Sequence, residues 1–256
     1  MPLDPAHTVE PVMPVPPELP RPCLMRSGWR DLSFVHWAVE PERVASRMPR
    51  GVRPDVHDGL TYVGMVAFRM VDVRPPYGPA LPWVGTFLET NVRLYSVDET
   101  GRRGVVFLSM DTNRLPIVAG ARVMVGLPYR WGRLDHTVRG REHTYEAHLR
   151  HPGVQGARSC LRVHVDDTRP ATALDEFLLP RWGLHVAHLG RTWYVPVAHQ
   201  AWTVRRAEVV SLDDELLGSN CLGELAERPP DHVAFSDGVE ADLGRPVLAS
   251  TPRERA

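Results

Sequence analysis

The stretch Phe87-Leu88-Glu89-Thr90-Asn91-Val92-Arg93-Leu94-Tyr95 alternates with a period of two. Glu89, Asn91, Arg93 and Tyr95 fall on one face of a strand, and Leu88, Thr90, Val92 and Leu94 on the other. Two placements satisfy this pattern. In an open antiparallel sheet the polar row faces water and the apolar row faces the core. In a small barrel wrapped by helices and loops, the apolar row packs outward and the polar row lines the interior. In that second placement an acid, an amide, a guanidinium and a phenol converge on a cavity. Arg93 and Tyr95 would then hold a carboxylate or enolate, with Glu89 beside them as a general acid or base.

Working outward, Thr61–Val73 (TYVGMVAFRMVDV) is nearly continuous in apolar residues, as expected of a strand covered on both faces. Gly104–Asp111, Arg122–Pro128, Glu142–Arg150, Ser159–Val165 and Trp202–Val210 read as further strands. They are separated by turn chemistry such as Asp98-Glu99-Thr100-Gly101 and Pro152-Gly153. Helices are expected at Pro41–Met48, Pro170–Leu179 and Ser211–Leu217, each with a start signal of proline, acid or Ser-x-x-Asp. Residues 1–22 are rich in proline and read as an extended, disordered tail. Residues 245–256 read as a frayed one. Many strands and few helices predict a single domain over residues 23–244, mostly antiparallel β, of α+β or barrel type.

The chain has 256 residues, a formal charge of −1 and no lysine, all 30 of its basic residues being arginine. Without a side-chain amine there is no Schiff base to a carbonyl substrate, no pyridoxal phosphate linkage and no phosphate-loop lysine. The arginines are spread along the chain, which disfavours a nucleic-acid partner. No apolar run approaches the length of a membrane span. Three widely spaced cysteines, Cys23, Cys160 and Cys221, fit free thiols in a reducing compartment, so a cytoplasmic location is expected. His185-x-x-His188 and His148-x-x-His151 lack a companion carboxylate or thiol at ligand spacing, and neither a metal nor another cofactor is expected.

The run FLETNVRLYS, followed by GVVFLSMDT at Gly104–Thr112 and ARVMVGLPYRWGRL at Ala121–Leu134, resembles the DUF2071, or YqjF-like, family. The stretches Trp29–Asp55, FLLPRWGLH at Phe177–His185 and VAHQAWTVRRAEV at Val197–Val209 carry the same resemblance, in the same order along the chain. The resemblance implies a fold similar to acetoacetate decarboxylase, a cone-like antiparallel barrel with flanking helices and an interior cavity. Fold kinship does not transfer function. The decarboxylases use a lysine whose pKa is depressed by a neighbouring cation, placed just after a Gly-x-Pro turn. Here that turn is Gly126-Leu127-Pro128, and Tyr129 and Arg130 stand where amines would be. Glu89 matches the acid on the cavity strand. The scaffold is implied with its nucleophile absent.

The expectation is therefore a cofactor-free protein that takes a small, anionic or β-dicarbonyl ligand. Glu89 is the candidate proton-transfer residue. Asn91, Arg93, Tyr95, Asp111, Arg122, Tyr129, Arg130 and His199 are the candidate ligand-binding residues, with Arg130 helping Arg93 to grip the anion and Arg122 pairing with Asp111 or Glu89. The alternative is a cavity that binds a metabolite without turnover, or a polar row that is only a buried structural network. A homo-oligomer is compatible with either. Arg69 reads as an ion-pair member or an edge residue.

Overall fold

The computed structural model describes residues 9–19, 21–153 and 155–249. In chain order the strands are β1 (Met25–Val39), β2 (Val52–Pro54), β3 (Thr61–Arg74), β4 (Phe87–Asp98), β5 (Arg103–Thr112), β6 (Tyr129–Arg139) and β7 (Glu142–His151). They continue as β8 (Arg158–Thr168), β9 (Gly183–His188), β10 (Arg191–His199), β11 (Arg205–Asp214), β12 (His232–Leu243) and β13 (Val247–Leu248). The helices are α1 (Pro41–Ala45), α2 (Leu115–Met124) and α3 (Ala173–Leu178).

The strands form one sheet that closes on itself twice. One ring runs β12-β1-β3-β4-β5-β9-β10 and back to β12; the other runs β5-β6-β7-β8-β11-β12-β1-β3-β4 and back to β5. Pairing is antiparallel except where β5 meets β6 and β9 in parallel. Strands β12, β1, β3, β4 and β5 are common to both rings, so they form a wall with a ring interior on each side. That explains the apolar run of β3. Val63, Met65 and Ala67 pack into the core of the larger ring, and Tyr62, Val66, Phe68 and Met70 into the smaller one. A strand buried on both faces shows no polar alternation.

The same geometry decides the faces of β4. Val92 and Leu94 enter the core of the larger ring, while Glu89, Asn91 and Tyr95 are buried on the side of the smaller ring. The water-facing placement of the polar row is wrong. What covers the apolar row is a second ring of strands, not a jacket of helices.

Several local expectations need correction. The Arg122–Pro128 strand does not form: α2 starts with proline in its first turn, runs to Met124, and the chain reverses at Gly126 (φ 79°). The Ser211–Leu217 helix is instead the end of β11. Asp214 accepts the Leu217 N–H at 2.7 Å, turning the chain into a short 3₁₀ segment at Gly218–Asn220. The Pro170–Leu179 helix is shorter than expected, and the cap is Thr172, which forms a reciprocal capping box with Asp175. The strand expected from Trp202 begins only at Arg205.

The two tails are more ordered than composition suggested. Glu10 donates its N–H to the Gly101 carbonyl at 2.9 Å, and Trp182 Nε1 donates to the Met13 carbonyl at 2.8 Å. Residues 9–19 therefore lie against the barrel, although they join no strand. At the other end β13 pairs with β10. Residues 1–8, 20 and 250–256 of the expected tails lie outside the described residues. Arg69 is exposed and bonds Asp31 at 3.0 Å. All three cysteines are free thiols. Among the described residues no helix is long and apolar enough to cross a membrane.

Candidate functional site

A cavity of about 120 Å³ lies inside the smaller ring. Of the residues singled out from the sequence, Glu89, Asn91, Arg93, Tyr129 and His199 line it. The β4 residues form a bonded ladder at i, i+2 spacing. Asn91 Nδ2 donates to Glu89 Oε1 at 2.9 Å, and Arg93 Nε donates to Asn91 Oδ1 at 2.9 Å. From β6, the Tyr129 hydroxyl donates to Glu89 Oε2 at 2.7 Å. Arg93 lies over the Phe107 ring, its Cζ 5.4 Å from the centroid. Its two terminal nitrogens have no hydrogen-bond partner among the described residues, so a guanidinium edge is free towards the cavity.

Burial raises the Glu89 carboxyl from its ordinary 4.5 to about 6, against the opposing pull of the Tyr129 and Asn91 hydrogen bonds and the Arg93 charge. A carboxyl poised there exchanges a proton readily near neutral pH. His199 Nδ1 bonds the Gln200 carbonyl at 2.7 Å, and its ring lies against Trp202 and Trp182, 4.5 and 4.6 Å between centroids. Burial lowers His199 to about 4, so it is neutral at physiological pH. His199 and Asp242 also face an outer depression whose far side is lined by Pro14, Val15 and Pro16.

The remaining candidates are not brought to the cavity. Tyr95 is one layer beneath it and fully buried. Asp111 and Arg130 pair with each other, Nε to Oδ1 at 2.5 Å and Nη2 to Oδ2 at 2.8 Å, and Arg130 Nη1 reaches Ser219 Oγ at 2.8 Å. Tyr129 and Arg130 are consecutive on β6 and so point to opposite faces; only Tyr129 can look into the smaller ring. Arg122 is exposed and bonds the Tyr129 carbonyl at 2.9 Å, pairing with neither Asp111 nor Glu89. The second anion-gripping arginine expected in Arg130 is thus a structural ion-pair member.

Sequence reading missed Arg181, which also lines the cavity. Its terminal nitrogens are committed to Asp55 and to the Phe177 carbonyl, its buried Nε has no partner among the described residues, and it stacks over Tyr95 with Cζ 4.8 Å from the centroid. It lies in the stretch FLLPRWGLH at Phe177–His185, where no alternation marks the arginine as inward-facing.

The chain of buried bonds behind Tyr95 was missed as well. The Tyr95 hydroxyl lies 2.6 Å from His36 Nε2, His36 Nδ1 lies 2.8 Å from His232 Nδ1, and His232 Nε2 lies 2.8 Å from Asp175 Oδ1. Burial works to raise Asp175, but bonds from His232, Arg169 and Thr172 outweigh it and hold the carboxyl well below the usual range. Burial holds His36 neutral, reinforced by His232 and Arg93. With Asp175 an acceptor only, one proton arrangement satisfies every neighbour: His232 Nε2–H, His36 Nδ1–H and Tyr95 O–H all donate towards Asp175. No sequence spacing announces residues 36, 95, 175 and 232 as partners.

Gly64 is the joint between this chain and the cavity. It pairs with His36 on one side and Arg93 on the other, and a Cβ there would lie 2.9 Å from the His36 ring and 3.1 Å from Arg93 Cγ. His36 is bonded at both nitrogens and has no room to retreat, so Arg93 must give way. Gly64→Ala is therefore expected to displace Arg93 and weaken binding of an anionic ligand at least tenfold. A calorimetric titration of the folded variant that gives the wild-type affinity would refute this placement.

The sequence matches the family DUF2071, described as an uncharacterized conserved protein, over residues 26–240. The chain belongs to the DUF2071 family. It is 26% identical over 186 residues to the uncharacterized protein YqjF of Bacillus subtilis (strain 168), covering 72% of this chain and 76% of that protein. The fold of this DUF2071 protein is shared with acetoacetate decarboxylase from Legionella pneumophila, at 15% identity and a TM-score of 0.60 over 96% of this chain and 98% of that one. The enduracididine biosynthesis enzyme MppR, solved with the condensation product of pyruvate and imidazole 4-carboxaldehyde, superposes at 15% identity and a TM-score of 0.57 over 91% of each chain. At such identities the likeness establishes the acetoacetate decarboxylase-like fold.

Proposed function

We propose that the cavity of the smaller ring binds a small acidic or β-dicarbonyl compound and acts on it by enolate-type proton transfer. One observation carries the reading. A buried carboxyl poised near pH 6, Glu89, shares a cavity with a guanidinium edge, that of Arg93, which no other group among the described residues occupies. Arg93 takes the anionic group. Glu89 in its carboxylate form accepts a proton from the carbon next to a carbonyl. The C–H electron pair becomes the enolate double bond, and the negative oxygen is held by N–H or O–H donors. Returning the proton to the same or another carbon completes exchange or isomerisation. Schiff-base decarboxylation is excluded for this chain because it has no lysine.

The fold neighbours lend support, since the enzyme MppR is solved with a condensation product of pyruvate. A second reading, binding without turnover, is favoured by the fact that both Glu89 oxygens already accept bonds, from Asn91 and Tyr129. On that reading the carboxyl only braces the ladder that aims Arg93.

Proton NMR in D2O separates the two. The full chain is incubated with 2-oxo and 3-oxo acids, and loss of the α-proton signal is followed against a buffer blank. Exchange above the blank that disappears in Glu89→Gln supports proton transfer. Binding without exchange across the whole panel leaves the second reading.

A further inference from the structure

Resting on the reading of this cavity as an anion site, we infer that its ligand is a monocarboxylate carrying one flat apolar ring, of the arylcarboxylate or aryl-oxo-acid class. Glu89, Asn91 and Arg93 of β4, with Tyr129 of β6, line one part of the cavity, and Trp29 and Phe34 of β1, Phe68 of β3 and Trp202 line the part beside it, where His199 and Asp242 bring polar groups. These rings form one continuous surface. Trp29 lies 6.0 Å from Phe68 and 6.2 Å from Trp202, and Phe34 meets Trp202 edge-on at 5.2 Å.

The indole N–H groups of that wall are spent elsewhere. Trp29 Nε1 donates to Ser27 Oγ and Trp202 Nε1 to the Leu179 carbonyl. What they offer the cavity is carbon. A hydroxylated ligand such as a sugar acid would lose hydration against these ring faces, with His199 the polar side chain set among them. Trp29 and Trp202 are only half-buried, so their ring surface is not used up by core packing.

Charge limits the ligand to one carboxylate. Of the two arginines that line the cavity, Arg93 has terminal nitrogens with no partner among the described residues, whereas those of Arg181 are held by Asp55 and the Phe177 carbonyl. A second carboxylate would face Glu89 or Asp242 instead. Size limits it further. An apolar cavity of about 150 Å³ accommodates one benzene ring; this one, at about 120 Å³, is tighter, so a single ring is its upper limit and enters only as the half-buried Trp29 or Trp202 shifts outward. Nucleotides and acyl-cofactor thioesters are too large. A single ring with a short acidic arm is the largest ligand compatible with that volume and with the one free guanidinium edge.

Calorimetric titration of the full chain with phenylacetate, phenylpyruvate, acetate, pyruvate and succinate tests the assignment. The phenyl acids are expected to bind roughly 30-fold more tightly than their methyl counterparts, the ratio that follows from burying one phenyl group. Succinate is expected to bind no better than acetate. Trp202→Leu should cut the phenyl preference to a few-fold while leaving acetate unchanged, and Arg93→Ala should weaken every acid. Phe68→Leu serves the same purpose should Trp202→Leu fail to fold. Arg93-dependent binding with no phenyl preference would overturn the ring assignment and leave the anion site standing. Tight phenyl binding indifferent to Arg93→Ala, or no binding of any acid, would overturn the anion reading itself.

Discussion

Glu89→Gln is expected to lower solvent exchange at the α-carbon of a bound oxo acid by about 10²- to 10⁴-fold, the range of a lost general acid or base. Affinity for a simple carboxylate should stay within a few-fold, because Arg93 is untouched and a glutamine can still accept from Asn91. The same variant tests the electrostatics without any ligand. Glu89 has its proton affinity raised on folding, from 4.5 to about 6, by burial. The folded state thus holds this proton more tightly than the unfolded state. Its contribution to stability is full below pH 4.5 and is lost as pH rises through 6, a loss of about 2 kcal/mol at 1.36 kcal/mol per pKa unit. Relative to wild type, Glu89→Gln should gain stability between pH 4 and pH 7 by that amount. Denaturant titrations at several pH values read it directly, and two parallel stability curves would rule out a buried Glu89 titrating in this window.

Asp111→Ala is expected to destabilise the fold by about 3–5 kcal/mol, the cost of leaving one member of a buried ion pair without its partner. Asp111 is fully buried and Arg130 nearly so, and after the substitution the guanidinium keeps only Ser219. At about 2–4 °C per kcal/mol for a domain of this size, the midpoint of thermal unfolding should fall by roughly 6–20 °C. The double variant Asp111→Leu/Arg130→Met should recover most of the loss, since replacing both charges removes the desolvation penalty as well as the attraction. Anion affinity in any variant that folds should be close to wild type, because the pair faces away from the cavity. A large drop in affinity would return Arg130 to the binding site, as the sequence alone had suggested.

That pair shows where sequence reasoning reached its end. The alternation Glu89-x-Asn91-x-Arg93-x-Tyr95 is a local property, and it put on one face the ladder whose first three members line the cavity. Tyr129 and His199 were likewise legible from the motifs that surround them. Tyr95, Asp111, Arg122 and Arg130 were polar residues in the right stretches, but being on a strand near the site does not say which neighbour a side chain meets. Asp111 and Arg130 meet because β5 and β6 run parallel side by side, a pairing made across α2. Arg181 and the histidines of the Tyr95 chain come from strands and loops far apart in sequence.

The segment Arg122–Pro128 failed for a different reason. Val123 and Met124 are exposed apolar residues at the end of a helix, and an apolar pattern with no core behind it carries no reliable period.

By itself, the amino-acid order determined the absence of a lysine amine, the strand character of β3, β4, β5, β7 and β8, and the two-faced division of β4. Only the tertiary structure decided which of those faces looks into a cavity. A period of two distinguishes two sides of a strand but is blind to what covers each. Here both sides are covered, because the sheet closes into two rings that share a wall, and closure is made by strands that no local pattern connects.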